Sequence, residues 1–139
     1  MKIAFYRAIA GDWRDKCVAI ASVSKYSHVE LVFSNDECAS SSARDGGIRF
    51  KFIDLNSGRW NVFELNLDLD EEAIRYWFHI HKDNTYDWPG AIASAFGIDI
   101  SDDDKKYCSY ACAAALSVNP TITPGGLFRH LKKSGAINE

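Results

Sequence analysis

Residues 26–33 have the sequence YSHVELVF, which predicts a strand that carries two ionisable side chains. Alternate residues of a strand share one face, so His28 and Glu30 should project together while Val29 and Leu31 project from the opposite face. A carboxylate beside an imidazole fixes the tautomer of the ring and stabilises the imidazolium. The strand therefore predicts a paired histidine and glutamate. A solvated pair on an open sheet face is the simpler alternative, and Glu64, on another predicted strand, is a second candidate for the carboxylate.

Residues 107–116 have the sequence YCSYACAAAL, which predicts a buried helix because its small residues suit close packing. Cys108 falls at the start of this helix, where unpaired backbone N–H groups and the helix dipole stabilise an anionic thiol. Cys112 continues the apolar stripe and is more simply a core residue, and Cys108 is open to the same interpretation. The aspartates at positions 102–104 would disfavour a thiolate if they pointed at the sulfur. If Cys108 and His28 meet in space, the chain is a cysteine hydrolase or acyltransferase.

The rest of the chain predicts one α+β domain over residues 1–139. Further strands are predicted at residues 3–9, 38–42, 48–52 and 62–65 from their apolar alternation. The strands in the middle of the chain are expected to form an antiparallel meander, with turns at residues 35–36 and 56–58.

Helices are predicted from capping residues that precede apolar stripes. Asp12 should begin a helix that ends near Ser24, and Asp70 should begin one whose apolar face includes Ile74, Trp77, Phe78 and His81. A short helix is expected at residues 91–95, followed by a polar loop at 99–104. A last helix should start after Thr123, turn Leu127, Phe128 and Leu131 inward, and end at Gly135.

The composition limits the classes of partner. The 139 residues carry a net charge of −3, with 47% apolar and 13% aromatic residues, so neither nucleic acid nor an anionic membrane surface is an expected partner. The first ten residues carry Arg7 in a short alternating run and predict a strand rather than a signal peptide. No stretch is apolar over a length that spans a bilayer, so a cytoplasmic protein is expected. Its four cysteines are expected to be free thiols, although four cysteines could also form a disulfide framework.

No metal or organic cofactor is expected. His79 and His81 resemble a metal-binding pair, but on the predicted helix residues two apart point in different directions. The acidic stretch at 99–104 lacks the glycine and terminal glutamate of a calcium loop. Trp60, Trp88 and Phe96 are candidates to line a pocket, although aromatic residues at such positions are more often part of a core. The sequence carries no signal for an oligomeric state.

Taken together, these segments resemble the circularly permuted branch of the NlpC/P60 papain-like superfamily, which includes YiiX-like proteins and relatives of lecithin:retinol acyltransferase. The ordinary branch has its cysteine helix before its histidine strand, and here the order is reversed. The resemblance is carried by residues 27–29 (SHV) early in the chain, 86–87 (YD), 107–109 (YCS) and 123–127 (TPGGL). The chain looks especially similar to small members encoded by bacteria and tailed phages.

The resemblance implies a circularly permuted papain-like fold, with an antiparallel sheet packed against helices. It implies Cys108 as nucleophile, His28 as general base and Glu30 as third residue of a hydrolase that works through a thioester. The implied substrates are a peptide or other amide, a peptidoglycan stem peptide or a lipid ester, with no cofactor. Two features depart from YiiX-like proteins: Tyr110 stands where an acidic residue is common, and no export signal is expected, because the first residues predict a strand.

Two other functions remain open for such a chain. The first is an inactive binding or inhibitory module of the same fold, for example one encoded by a phage and acting on a host factor. The second is a lipid acyltransferase, which would expose an apolar patch near Cys108. The reactivity of Cys108 and its pairing with His28 distinguish the hydrolase from the inactive module.

Overall fold

The computed structural model describes residues 1–8, 24–82, 107–119 and 123–138, and the structural statements below concern these ranges. They contain five strands: β1 (Lys2–Arg7), β2 (Tyr26–Val32), β3 (Glu37–Ser42), β4 (Gly47–Phe52) and β5 (Trp60–Glu64). They also contain three helices: α1 (Glu71–Ile80), α2 (Cys108–Ala115) and α3 (Pro124–Lys133). All five strands belong to one antiparallel sheet in the order β4-β3-β2-β1-β5. The predicted α+β class is confirmed.

The strand order corrects one expectation. β2, β3 and β4 form the predicted meander, but β5 does not continue it and instead pairs with β1 at the opposite edge of the sheet. The connection over residues 53–59 is longer than a tight hairpin loop, so the chain has room to cross to that edge. Backbone hydrogen bonds beyond the strand ends extend the pairing, from Leu65 N to Met1 O (3.1 Å) and from Arg7 N to Arg59 O (3.0 Å).

The predicted caps begin two of the helices. The Asp70 side chain accepts a hydrogen bond from Ala73 N (3.1 Å) at the start of α1. Thr123 Oγ1 accepts one from Gly126 N (3.0 Å) at the start of α3. Helix α3 ends just before Gly135, whose φ of 74° is a left-handed conformation that favours glycine. The predicted helix after Asp12, the short helix at 91–95, the loop at 99–104 and the end of the first strand at Ile9 lie outside the described residues.

The main core lies between one face of the sheet and the three helices. The sheet contributes alternate residues such as Ile3, Phe5, Val29 and Leu31. The helices contribute a second set, which comprises Ile74, Phe78, Ala111, Cys112, Leu127 and Leu131. Helix α2 contacts both β3 and β2, the strand that carries His28.

The opposite face of the sheet has a smaller apolar cluster. Ala4, which alternates with Ile3 and Phe5 along β1, packs there with Val32 and Cys38. In the part of the chain that the structure describes, no helix combines the length and hydrophobicity that crossing a bilayer requires.

Candidate active site

Strand β2 brings His28 and Glu30 into contact. The Nε2 atom of His28 lies 2.7 Å from Oε1 of Glu30, as expected for two residues on the same side of a strand. The Glu30 side chain is 0% exposed and that of His28 is 20% exposed. The pair is therefore not the solvated surface pair of the simpler interpretation, because its carboxylate is fully enclosed.

Helix α2 brings Cys108 to the same place. Cys108 is the first residue of the helix, and the preceding residue, Tyr107, supplies no side-chain cap to the first-turn N–H groups. The Cys108 sulfur lies within hydrogen-bonding reach of the His28 ring. Since Nε2 is engaged by Glu30, Nδ1 is the ring nitrogen left for the sulfur. The structure thus unites the three side chains that the sequence singled out.

Cys112, one turn after Cys108, anchors the helix to the sheet. Its sulfur lies 3.7 Å from the carbonyl oxygen of Val29 and 3.9 Å from Oγ of Ser40. The Ser40 hydroxyl donates to that same carbonyl at 2.6 Å. Burial raises the pKa of Cys112 well above its ordinary value, and the negative charges of Glu30 and Cys108 act in the same direction. Cys112 is therefore a neutral thiol of the core, as its place in the apolar stripe indicates.

Arg49 of β4 is a member of the site that the sequence analysis missed. Its Nη1 donates to Oε2 of Glu30 at 2.7 Å, and its Nη2 donates to Oε1 of the same carboxylate. Its Nε donates to Oδ2 of Asp45 at 2.9 Å. The sequence carried one usable signal, because a glutamate inside an apolar strand needs a charged partner when that strand is buried. It did not indicate which residue supplies the partner.

The charges of the site stabilise one another. Burial alone would raise the pKa of Glu30, but hydrogen bonds from Arg49 and the positive charge of His28 hold it below its ordinary value. Burial alone would lower the pKa of His28, but the negative charges of Cys108 and Glu30 and the hydrogen bonds that the protonated ring donates to both raise it to about 10. At neutral pH the glutamate is ionised and the imidazole is protonated.

An aromatic row lies beside the imidazole. Tyr6 of β1 is in register with His28 on one side and with Trp60 on the other. The Trp60 ring is centred 6.1 Å from the His28 ring and 5.0 Å from the Tyr6 ring. Of the three aromatic residues considered for a pocket, Trp60 therefore borders the site. Trp88 and Phe96, like the aspartates at 102–104, lie outside the described residues.

The structure does not bring Glu64 to His28. Glu64 is exposed at the end of β5 and is in register with Lys2, whereas His28 is in register with Tyr6 near the other end of β1. Glu30 is thus the carboxylate that contacts the imidazole.

The two histidines at the end of α1 take part in local contacts. His81 Nδ1 lies 2.7 Å from the carbonyl oxygen of Trp77, and its ring stacks on the Trp77 ring at 4.2 Å. His79 is exposed, with its ring 5.2 Å from that of Phe50. Across the described ranges, no group of three or more histidine, cysteine, aspartate or glutamate side chains is arranged to hold a metal ion.

Comparison with known proteins adds no relative from which to transfer a function. No family model matches the chain. A search of curated proteins likewise finds no significant match.

Proposed function

We propose that this protein is a cysteine-dependent hydrolase of amide or ester bonds that acts through Cys108, His28 and Glu30. One observation carries the proposal: a single imidazole contacts both a sulfur at a helix N-terminus and a buried, ionised carboxylate. Nucleophilic cysteines are activated by a neighbouring imidazolium and by a helix N-terminus, and both are present here. A carboxylate that orients the imidazole completes the arrangement of a catalytic triad.

The chemistry follows from these positions. The Cys108 thiolate attacks the substrate carbonyl carbon, a C–S bond forms, and the oxygen becomes an oxyanion that the backbone N–H of Cys108 helps to hold. The oxyanion collapses as His28 gives its proton to the leaving amine or alcohol, which leaves a thioester. His28, now neutral, takes a proton from water as the water attacks the thioester. Release of the carboxylic acid regenerates the thiolate and the imidazolium.

The same proposal includes membership of the circularly permuted papain-like branch. It is supported by the order of the elements, with the histidine strand early in the chain and the cysteine helix late, and by the packing of that helix on an antiparallel sheet. The substrate classes that accompany this assignment are peptides, peptidoglycan stem peptides and lipid esters. The half-buried ring of Trp60 beside His28 offers an apolar wall for such a substrate.

One observation favours a second candidate, a binding or inhibitory module in which the cysteine is not used. Cys108 is only 3% exposed, whereas nucleophilic cysteines are at least partly accessible. The two candidates differ in the reactivity of the sulfur, which can be measured without knowledge of the substrate.

The test is the rate at which iodoacetamide alkylates each cysteine across pH, mapped by mass spectrometry in the wild type and in His28→Ala. Cys38 and Cys112 are internal controls because both are buried free thiols with raised pKa values, that of Cys38 reaching about 12 mainly through burial. We expect Cys108 to react at least about tenfold faster than either control below neutral pH, and to lose this advantage in His28→Ala. Slow labelling at all three sites, unchanged in His28→Ala, would refute the hydrolase and support the binding module.

A further inference from the structure

We propose that Arg49 is a positioning residue of this site, which fixes the orientation and charge of His28 through the buried carboxylate of Glu30. The inference rests on the proposed function, because it assigns Arg49 a part in the same chemistry. The hydrogen bonds of Arg49 go to Glu30 and Asp45 and not to Cys108. Any effect of Arg49 on the Cys108 sulfur must therefore pass through Glu30 and His28.

The guanidinium of Arg49 is fixed by hydrogen bonds from all three of its nitrogens. Two of its nitrogens donate to the two oxygens of Glu30, and the third donates to Asp45 at 2.9 Å. Asp45 is in turn bound by Lys51 Nζ at 3.1 Å. Only 15% of the Arg49 side chain is exposed, so water is a poor substitute for it. This bidentate geometry leaves Glu30 one orientation, with Oε1 directed at Nε2 of His28.

The contacts form a row in which charged groups of alternating sign lead to the sulfur of Cys108. From β4 to α2 the row runs from the guanidinium of Arg49 to the carboxylate of Glu30, the imidazolium of His28 and the sulfur of Cys108. If Arg49 were absent, a fully buried carboxylate would keep a single partner, and it would rotate or take up a proton. Rotation moves the negative charge of Glu30 away from His28 and protonation removes it, so either change lowers the pKa of His28.

Other ionisable groups surround this row. Cys112 on α2 and Cys38 on β3 both sense the Glu30 charge, and burial together with that charge raises their pKa values, so they stay neutral. Asp45 balances part of the Arg49 charge. Partial burial would raise the Asp45 pKa, but hydrogen bonds from Arg49 and Lys51 lower it to about 2, so Asp45 is ionised throughout the working range.

Arg75 on α1 provides a matched control. It is also a half-buried arginine held by carboxylates, with Nη1 donating to Oε2 of Glu37 at 2.8 Å and Nε to Oε1 of Glu71 at 3.3 Å. Its guanidinium lies over the Phe33 ring at 3.9 Å, and it takes no part in the row that leads to Cys108. Loss of Arg75 therefore tests the general effect of removing such an arginine.

The experiment measures Cys108 alkylation by iodoacetamide against pH in Arg49→Met, Arg49→Lys, Glu30→Gln, Arg75→Met and the double variant Glu30→Gln/Arg49→Met. We expect Arg49→Met to slow labelling at neutral pH by about tenfold and to move its onset to higher pH, because the imidazolium is lost. Arg49→Lys keeps the charge but not the two-point contact and should be intermediate. Arg75→Met should retain the wild-type pH profile.

The double variant separates positioning from a merely structural role. If Arg49 acts through Glu30, its removal from Glu30→Gln should have no further effect on Cys108 labelling. A further slowing there, or a wild-type profile in folded Arg49→Met, would refute the inference. Should Arg49→Met fail to fold by circular dichroism, the double variant still decides, since it removes both members of the buried Arg49–Glu30 pair. Slow labelling of the wild type would instead refute the proposed hydrolase itself.

Discussion

Replacing Glu30 with glutamine tests whether this residue is the ionised centre of the site. Glutamine keeps the shape of the side chain, but it replaces one carboxylate oxygen by an NH₂ group and removes the charge. In the structure both oxygens accept hydrogen bonds from Arg49, and Oε1 also contacts His28. The amide can satisfy only one of the two Arg49 donors, and its own donor then faces a positively charged group.

The contacts of Glu30 with Arg49 and His28 determine how much stability the substitution should remove. A hydrogen bond to a charged group contributes roughly 1.5–3 kcal/mol, and removing one partner of a buried ion pair costs roughly 3–5 kcal/mol. Because glutamine keeps part of the contact with Arg49, we expect Glu30→Gln to lower the free energy of unfolding by about 3 kcal/mol at neutral pH.

The effect should depend on pH with a defined sign. The contacts with Arg49 and His28 lower the pKa of Glu30 from its ordinary 4.5 despite its burial, so its contribution to stability is complete above that value. This contribution is lost as the pH falls through the lower pKa of the folded protein. The difference in stability between the wild type and Glu30→Gln should therefore shrink in acid.

The assay is urea unfolding of the wild type, Glu30→Gln and Glu37→Gln at neutral and acidic pH. Glu37 is the control, since it also binds an arginine, Arg75, at 2.8 Å, but its side chain is 24% exposed. Its replacement should cost about 0–1 kcal/mol, as for other surface ion pairs. The claim that Glu30 is buried and ionised would be refuted if Glu30→Gln lowered the free energy of unfolding no more than Glu37→Gln does. It would also be refuted if the loss caused by Glu30→Gln were the same in acid as at neutral pH.

Two further predictions concern the packing that holds the site. Cys112→Ala removes the sulfur that contacts Val29 and Ser40, so it should lower the free energy of unfolding by about 1–2 kcal/mol while Cys108 labelling by iodoacetamide keeps its rate. Loss of Cys108 reactivity in folded Cys112→Ala would show that Cys112 does more than pack. Gly125→Ala would place its methyl group against the Ser24 side chain and should cost about 1–3 kcal/mol by urea unfolding. Ser24→Gly should recover part of that loss, and no recovery would contradict the clash.

Much of the fold was predictable because its signals are local. The helix starts at Asp70 and Thr123 follow from side chains that accept hydrogen bonds from N–H groups three residues later, and the structure contains both bonds. Apolar alternation located the strands to within one or two residues. The side of β2 shared by His28 and Glu30 also follows from local geometry, since two residues apart on a strand means the same face.

The parts that were not predictable depend on distant segments. β5 was expected beside β4, but pairing with β1 is a contact between distant parts of the chain that alternation cannot specify. Arg49 alternates with Ile48 and Phe50, as an ordinary solvated cation on a strand does, and only the sheet order brings it to Glu30. The contact between Cys108 and His28 likewise could not be predicted, because it depends on the packing of helix α2 against β2.

The most direct test of the central claim is the protonation state of His28, followed by ¹⁵N NMR of the imidazole across pH. The contacts with Cys108 and Glu30 raise the His28 pKa to about 10, so the ring should stay protonated at neutral pH and lose its proton only in strongly alkaline solution. In Cys108→Ala the pKa should fall, because the negative charge of the sulfur is gone. A wild-type imidazole that loses its proton near the ordinary value of 6.5, unaltered by Cys108→Ala, would contradict a thiolate–imidazolium pair.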